Sequence, residues 1–251
     1  LWLMIHRAQR DLDFSVVIPA YNEEKLLPFT LGHLNSCLDQ LNAYQGEIIV
    51  VDNASTDQTI EIALENGAKV IKESERSIAR TRNKGAVEAQ GAILIFIDAD
   101  TIVPLEVLRE ALDLMKNPLY GGGGATVKFD QNQGRFISGV LVPEFWNLIS
   151  RLFKLAAGSF IYCRAEDFEK IVGFSEKLYA GEEIQFIISL KRILRHSQKR
   201  FVILHRNPVI TSSRKLVWYG DLKIFSTLFL LLLFPFAIRF KRFCNFWYQR
   251  P

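Results

Sequence analysis

One feature constrains this chain more than any other. Short β-branched or apolar runs alternate with stretches of roughly ten to twenty residues that carry helical spacing. The runs are FSVVI (14–18), EIIVV (47–51), KVIK (69–72) and AILIFI (92–97). Between the first two, Leu27, Leu31, Leu34, Leu38 and Leu41 recur at spacings of three and four, which places them on one face of a helix. Pro28 cannot sit deep in a helix, so this one is predicted to start near residue 26. Ser55 or Thr56 is predicted to cap the next helix, which closes near Gly67, and Ser77 to open another, closed at Gly91. Pro104 stands at a helix start before LEVLREALDLM. Strands joined by helical crossovers predict an α/β fold with a mostly parallel sheet. AILIFI lacks the polar alternation of a half-solvated strand, so it is predicted to be central and covered on both faces.

The second half is less regular. ATVKF (125–129) and SFIYC (159–163) read as strands, and 136–156 and 182–196 as helices. GGGG (121–124) is not followed by G-K-[ST], so it is no P-loop; a flexible loop leading into a strand is expected. No repeat or low-complexity linker divides the chain, which predicts one domain with a C-terminal extension. With 49% hydrophobic and 23% charged residues the chain is not disordered. A net charge of +4, without a basic stripe interleaved with aromatics in the first two hundred residues, gives no nucleic-acid partner. Cys37, Cys163 and Cys244 are odd in number and far apart, which argues against zinc or a disulfide framework and makes a reducing, cytoplasmic compartment the expectation. The opening LWLMIHRAQRDLD is too short and too charged for a signal peptide's apolar stretch. Residues 225–238 form an uncharged apolar run of 14, short of the roughly 20 a membrane span needs. Lys223 lies before it, and Arg239, Lys241, Arg242, Phe246, Trp247 and Tyr248 lie after it. That pattern suits a helix at a bilayer surface, peripheral on the cytoplasmic face; a helix buried at a subunit or domain contact is the alternative.

Function in an open parallel sheet sits beyond the carboxyl ends of the strands. Three polar clusters fall there: PAYNEE (19–24), DNASTD (52–57) and DADT (98–101). Asp98 and Asp100, directly after a buried strand, would repel one another and lose solvation; a divalent cation removes both costs. Mg²⁺ commonly takes one or two carboxylates and completes its shell with water and phosphate oxygens, so the pair could hold a diphosphate. Either Asp could otherwise cap a helix or shape a turn. Asp52 follows its strand at once and could accept hydrogen bonds from a ribose or base. The arginines of ARTRNKG (79–85) could meet phosphate or a base carbonyl, or lie on a solvated helical face. Glu182 and Glu183 open a helix, where its dipole favours acidic residues; aimed into the cleft, one could deprotonate an acceptor hydroxyl. KRILRHSQKR (191–200) reads as a solvated face, with an anionic acceptor or lipid headgroups as alternatives.

Taken in order, these motifs resemble the family 2 glycosyltransferases across residues 14–215. SVVIPAYNEE is similar to that family's opening strand and loop, and VVDNASTD to its V-D-[DN]-x-S-x-D turn. ARTRNKGA and FIDADT resemble its R-N-x-G helix and D-x-D segment, and VGFSEKLYAGEEIQF its acceptor-side G-G-F-x-E…G-E-D block. The resemblance implies a three-layer αβα sandwich of the GT-A, Rossmann-like type over 14–215; the apolar run, read as a helix, lies beyond it in the C-terminal extension, 216–251. It implies an inverting, metal-dependent transfer from a UDP-, GDP- or dTDP-sugar to a hydroxyl or phosphate, lipid-linked or saccharide. Ala20, Tyr21 and Glu23 would border the nucleoside, Asp52 would bind base or ribose, and Arg82 the base. Asp98 would approach the ribose, and Asp100 an Mg²⁺ or Mn²⁺ bridging the diphosphate. Glu183, where the family usually has Asp, would be the general base, with Glu182 as the other candidate. Arg214, in TSSRK, would steady the leaving diphosphate. A nucleotidyltransferase of similar fold and a non-catalytic membrane-associated scaffold are the competing readings.

Overall fold

The computed structural model describes residues 10–130, 142–214, 218, 235–244 and 248. In chain order the elements are β1 (Leu12–Ala20), α1 (Leu27–Leu38), β2 (Gly46–Asp52), α2 (Thr59–Glu65), β3 (Lys69–Lys72), α3 (Ile78–Glu88), β4 (Gly91–Ile97), β5 (Thr101–Ile102), α4 (Leu105–Lys116), β6 (Tyr120–Phe129), α5 (Val142–Phe153), β7 (Phe160–Arg164), α6 (Ala165–Lys170), α7 (Glu182–His196) and β8 (Arg200–Thr211). Two short 3₁₀ turns follow, Pro235–Arg239 and Lys241–Phe243.

The sheet runs β3-β2-β1-β4-β7-β6-β8-β5. The half built from the predicted βαβ units is parallel throughout. β7 enters antiparallel between β4 and β6, and β5 pairs antiparallel with β8. Alternate strand residues feed two cores. Val16, Ile18, Val50, Ile95 and Ile97 pack under α1 and α4 through Leu31, Leu34, Leu108 and Leu112. Val17, Ile49, Val51, Leu94 and Phe96 pack under α3, α6 and α7 through Ala79, Ala86, Phe168, Phe186 and Leu190. Both faces of β4 are therefore dry, which is why AILIFI shows no polar alternation. The result is the three-layer α/β architecture expected.

The structure differs from the sequence reading in four places. Gly121–Gly124 is not a loop but part of the first half of β6. A β-carbon at Gly123 would collide with the Val202 carbonyl and the Tyr162 ring, and one at Gly122 with the Tyr162 carbonyl, so neighbouring strands leave no room for side chains. The helix expected over 136–156 occupies Val142–Phe153, its first six expected residues falling outside the described ones. β8 was not foreseen because HRNP (205–208) interrupts its apolar pattern; register jumps from Ala125↔Leu204 to Val127↔Val209, so those four residues bulge out and Pro208 needs no ladder bond. Most of the apolar run 225–238 lies outside the described residues, and its end, 235–239, is 3₁₀ rather than α. Among the described residues no helix is long and apolar enough to cross a membrane.

Candidate active site

β1, β2 and β4 run parallel, so their carboxyl ends open on the same edge. Ala20 pairs with Asp52, and Asp98 directly follows β4 on the other side of β1. Two strand spacings, about 5 Å each, therefore separate the Asp52 and Asp98 strands. The loops above this edge are zipped together. The Asn22 N–H donates to Ser55 Oγ at 3.0 Å, the Thr56 N–H to Asn22 Oδ1 at 2.8 Å, and the Glu23 N–H to Thr59 Oγ1 at 2.8 Å. Ser55 and Thr56 thus serve the neighbouring loop and do not cap α2, which begins only after Gln58. Asp57 accepts from the Thr59 N–H instead, at 3.1 Å. Asp52 is buried, its carboxylate facing the Ser55 N–H at 3.3 Å. Asn53, which sequence reasoning treated as a turn residue, links three segments: it donates to the Glu73 and Glu75 carbonyls and accepts from the Ser77 N–H. Tyr21 lies under the Arg76 guanidinium, 3.3 Å from its ring centroid. No motif marked Arg76.

Ser77 caps α3 as predicted, accepting from the Arg80 N–H. Gly85 lets the helix lie against the sheet, because a β-carbon there would strike Val17 and Val51. Arg82 sits three residues earlier on the same face and is thereby driven into the strand edge. Its side chain is 3% exposed, so it is not on a solvated face. It donates to Asp98 Oδ1 at 2.9 Å, to Glu182 Oε1 at 2.9 Å and to the Gly158 carbonyl at 3.2 Å. Burial works against its charge, but Asp98, Glu182 and Glu183 outweigh burial and hold it protonated. Asn83 clamps the segment leading to the acidic pair, exchanging hydrogen bonds with the Phe174 backbone at 2.8 and 2.9 Å.

α7 is held against β4 by stacked and edge-on contacts among Phe96, Phe168, Phe174 and Phe186. Gly181, before its first turn, has φ +68°, a conformation costly for any residue with a β-carbon. That turn separates the two acids. Glu182 is spent on Arg82, its side chain 6% exposed. Among the described residues Glu183 has no arginine within ion-pair distance, and burial followed by the charge of Glu182 pushes its carboxyl up to about 8.

On the far side, Asp100 follows Asp98 by two residues and meets Arg214, from the segment after β8, at 2.9 Å. Arg214 also forms a bidentate pair with Glu23, at 2.5 and 2.6 Å. The Glu23 carboxylate therefore faces Arg214, and one guanidinium ties the first loop to the D-x-D turn. All ten residues singled out in the sequence lie along this one edge. Among the described residues no cluster of three His, Cys, Asp or Glu could hold a metal unaided. Asp98 and Asp100 offer two hard oxygen donors, which fits Mg²⁺ or Mn²⁺ completed by water and phosphate. The guanidinium already drawn to Asp100 marks a place that attracts positive charge.

Solved structures with this architecture include a mannosyltransferase from Pyrobaculum calidifontis in complex with GDP-Man and Mn²⁺. It superposes with a TM-score of 0.64 at 18% identity, over 95% of this chain and 69% of that one. The fold is thus the GT-A, Rossmann-like α/β fold. The chain belongs to glycosyl transferase family 2, whose family model matches residues 15–172. Among curated relatives, the poly(ribitol-phosphate) beta-N-acetylglucosaminyltransferase TarS of Staphylococcus aureus is 25% identical over 185 residues, covering 70% of this chain and 32% of TarS. The dolichol-phosphate mannosyltransferase of Pyrococcus furiosus is 33% identical over 108 residues, covering 41% of this chain and 30% of the relative. The matched stretches span about a third of these relatives' lengths.

Proposed function

We propose that the chain moves a sugar from a nucleotide-diphospho-sugar to a hydroxyl or phosphate oxygen of a lipid-linked or saccharide acceptor, with inversion at the anomeric carbon. One observation carries this reading: Arg82 joins Asp98 to the Glu182–Glu183 turn, so a carboxyl with raised proton affinity stands beside the D-x-D carboxylates. Glu182 is the positioning residue and Glu183 the base. The acceptor oxygen attacks the anomeric carbon from the face opposite the diphosphate while Glu183 takes its proton. The bond to the diphosphate breaks in the same step, and no covalent sugar–enzyme intermediate forms. Asp98 and Asp100 would hold Mg²⁺ or Mn²⁺, which when bound neutralises charge on the departing nucleoside diphosphate. Asp52 and the Tyr21–Arg76 stack border the nucleoside. Arg214, released from Asp100, reaches the diphosphate and keeps Glu23 as its anchor. The solved complex with GDP-Man and Mn²⁺ on the same fold supports the donor class.

The test is a panel of UDP-, GDP- and dTDP-sugars with Mn²⁺ and with EDTA. Metal-dependent stabilisation by one donor is expected, followed by transfer to a polyprenyl phosphate or saccharide whose product has the opposite anomeric configuration by NMR. Retained configuration, or pyrophosphate release from a nucleoside triphosphate, overturns the reading.

A further inference from the structure

A second surface lies on the two 3₁₀ turns, Pro235–Arg239 and Lys241–Phe243. The rings of Phe236, Phe240 and Phe243 are 60%, 49% and 44% exposed, although three large apolar side chains within eight residues would ordinarily be buried. Arg239, Lys241 and Arg242 are exposed among them. The Arg242 guanidinium lies 4.8 Å from the Phe243 ring centroid and 5.8 Å from that of Phe240. From Leu222 to Pro251 the sequence has no Asp or Glu, so the segment itself carries a net positive charge, offset at Lys241, where Glu75 is near. Exposed aromatic rings beside a cluster of cations match the interface of an anionic bilayer, where rings enter the headgroup layer and cations meet lipid phosphates. The face of another copy, carrying the same charges, would be repelled.

The inner side of the same segment grips the active-site loops. The Tyr179 N–H donates to the Ile238 carbonyl at 2.8 Å, and Cys244 and Tyr248 are buried against Ala180, two residues before Glu182. The Tyr248 carbonyl accepts from Arg76, the residue lying on Tyr21. We propose that Phe236, Phe240, Phe243, Arg239, Lys241 and Arg242 form a docking surface for an anionic lipid bilayer, which sets the cleft at the membrane. This holds whatever the donor and acceptor are, so it can fail without the transfer reading failing.

The test is co-sedimentation of the full chain with phosphatidylcholine vesicles and with vesicles containing phosphatidylglycerol, at low and high salt. Binding to the anionic vesicles is expected, weakened by salt. The R239Q/K241Q/R242Q variant should lose about 100-fold in partitioning, since each cation near the surface contributes about a factor of five. F240S/F243S should lose binding at both salt concentrations. Far-UV circular dichroism and the melting temperature, measured in parallel, show that each variant is folded. Equal binding to neutral and anionic vesicles, or unchanged binding by both variants, overturns the proposal. So does concentration-dependent dimerisation abolished by F240S/F243S, which would assign the face to a second copy.

Discussion

Replacing Arg82 by methionine keeps the length of the side chain and removes its charge. Glu182, with its side chain 6% exposed, then has no partner, whereas Asp98, 38% exposed, can rehydrate. Breaking a buried ion pair from one side costs about 3–5 kcal/mol, and nearly all of that belongs to Glu182. At about 2–4 °C per kcal/mol for a chain of this size, the melting temperature should fall by roughly 6–20 °C. Adding Glu182→Leu removes the stranded carboxylate, and a matched apolar pair can be as stable as the ions it replaces. The double variant should therefore recover to within about 1 kcal/mol of the parent in urea denaturation while its turnover stays low, because the arginine joining Asp98 to the turn that carries Glu183 is gone. A loss under about 1 kcal/mol in the single variant, or no recovery in the double, would refute the assignment of Arg82 and Glu182 as a buried pair.

Other perturbations separate chemistry from scaffold. Glu183→Gln should leave donor affinity unchanged and lower turnover by about 10²–10⁴-fold, read by calorimetry and initial rates; equal rates would remove it as the base. Because the folded carboxyl of Glu183 titrates far above its ordinary 4.5, its contribution to stability is complete below that value and is lost as pH rises toward about 8. Metal-free wild type should therefore lose stability over that window while Glu183→Gln does not, and matching pH profiles would contradict the raised value. Gly181→Ala should cost about 1–2 kcal/mol from its positive φ alone, since a β-carbon there meets no neighbour. Gly123→Ala should cost at least about 1–3 kcal/mol through collision between strands, and denaturation midpoints rank the two.

The parallel half of the fold was legible because period and turn chemistry agree there: strand runs, the Ser77 cap, and Pro104 just before a helix all point one way. The other half was legible only in part: the end of β6, β7 and α7 were read, but the rest follows tertiary rules. Four glycines form a strand only because Tyr162, Val202, Leu194 and Ala156 crowd them, and no local pattern carries that information. β8 hid behind a four-residue bulge. At the site, residue types alone marked Asp52, Asp98, Asp100 and the acidic pair. Which acid is spent on Arg82 depends on the rotation of α7, set by Gly181 and the phenylalanine cluster. Arg76 and Asn53 escaped notice because loop arginines and asparagines are common, and their partners lie 55 and 20 or more residues away.

Isothermal titration of the matching nucleoside diphosphate, with Mn²⁺ and with EDTA, into wild type and Asp100→Asn tests the central claim most directly. Tight binding by wild type only with Mn²⁺, lost in Asp100→Asn, is the expected result. Equal affinity with and without the ion, or in both proteins, would contradict a cation-bridged diphosphate at this edge of the sheet.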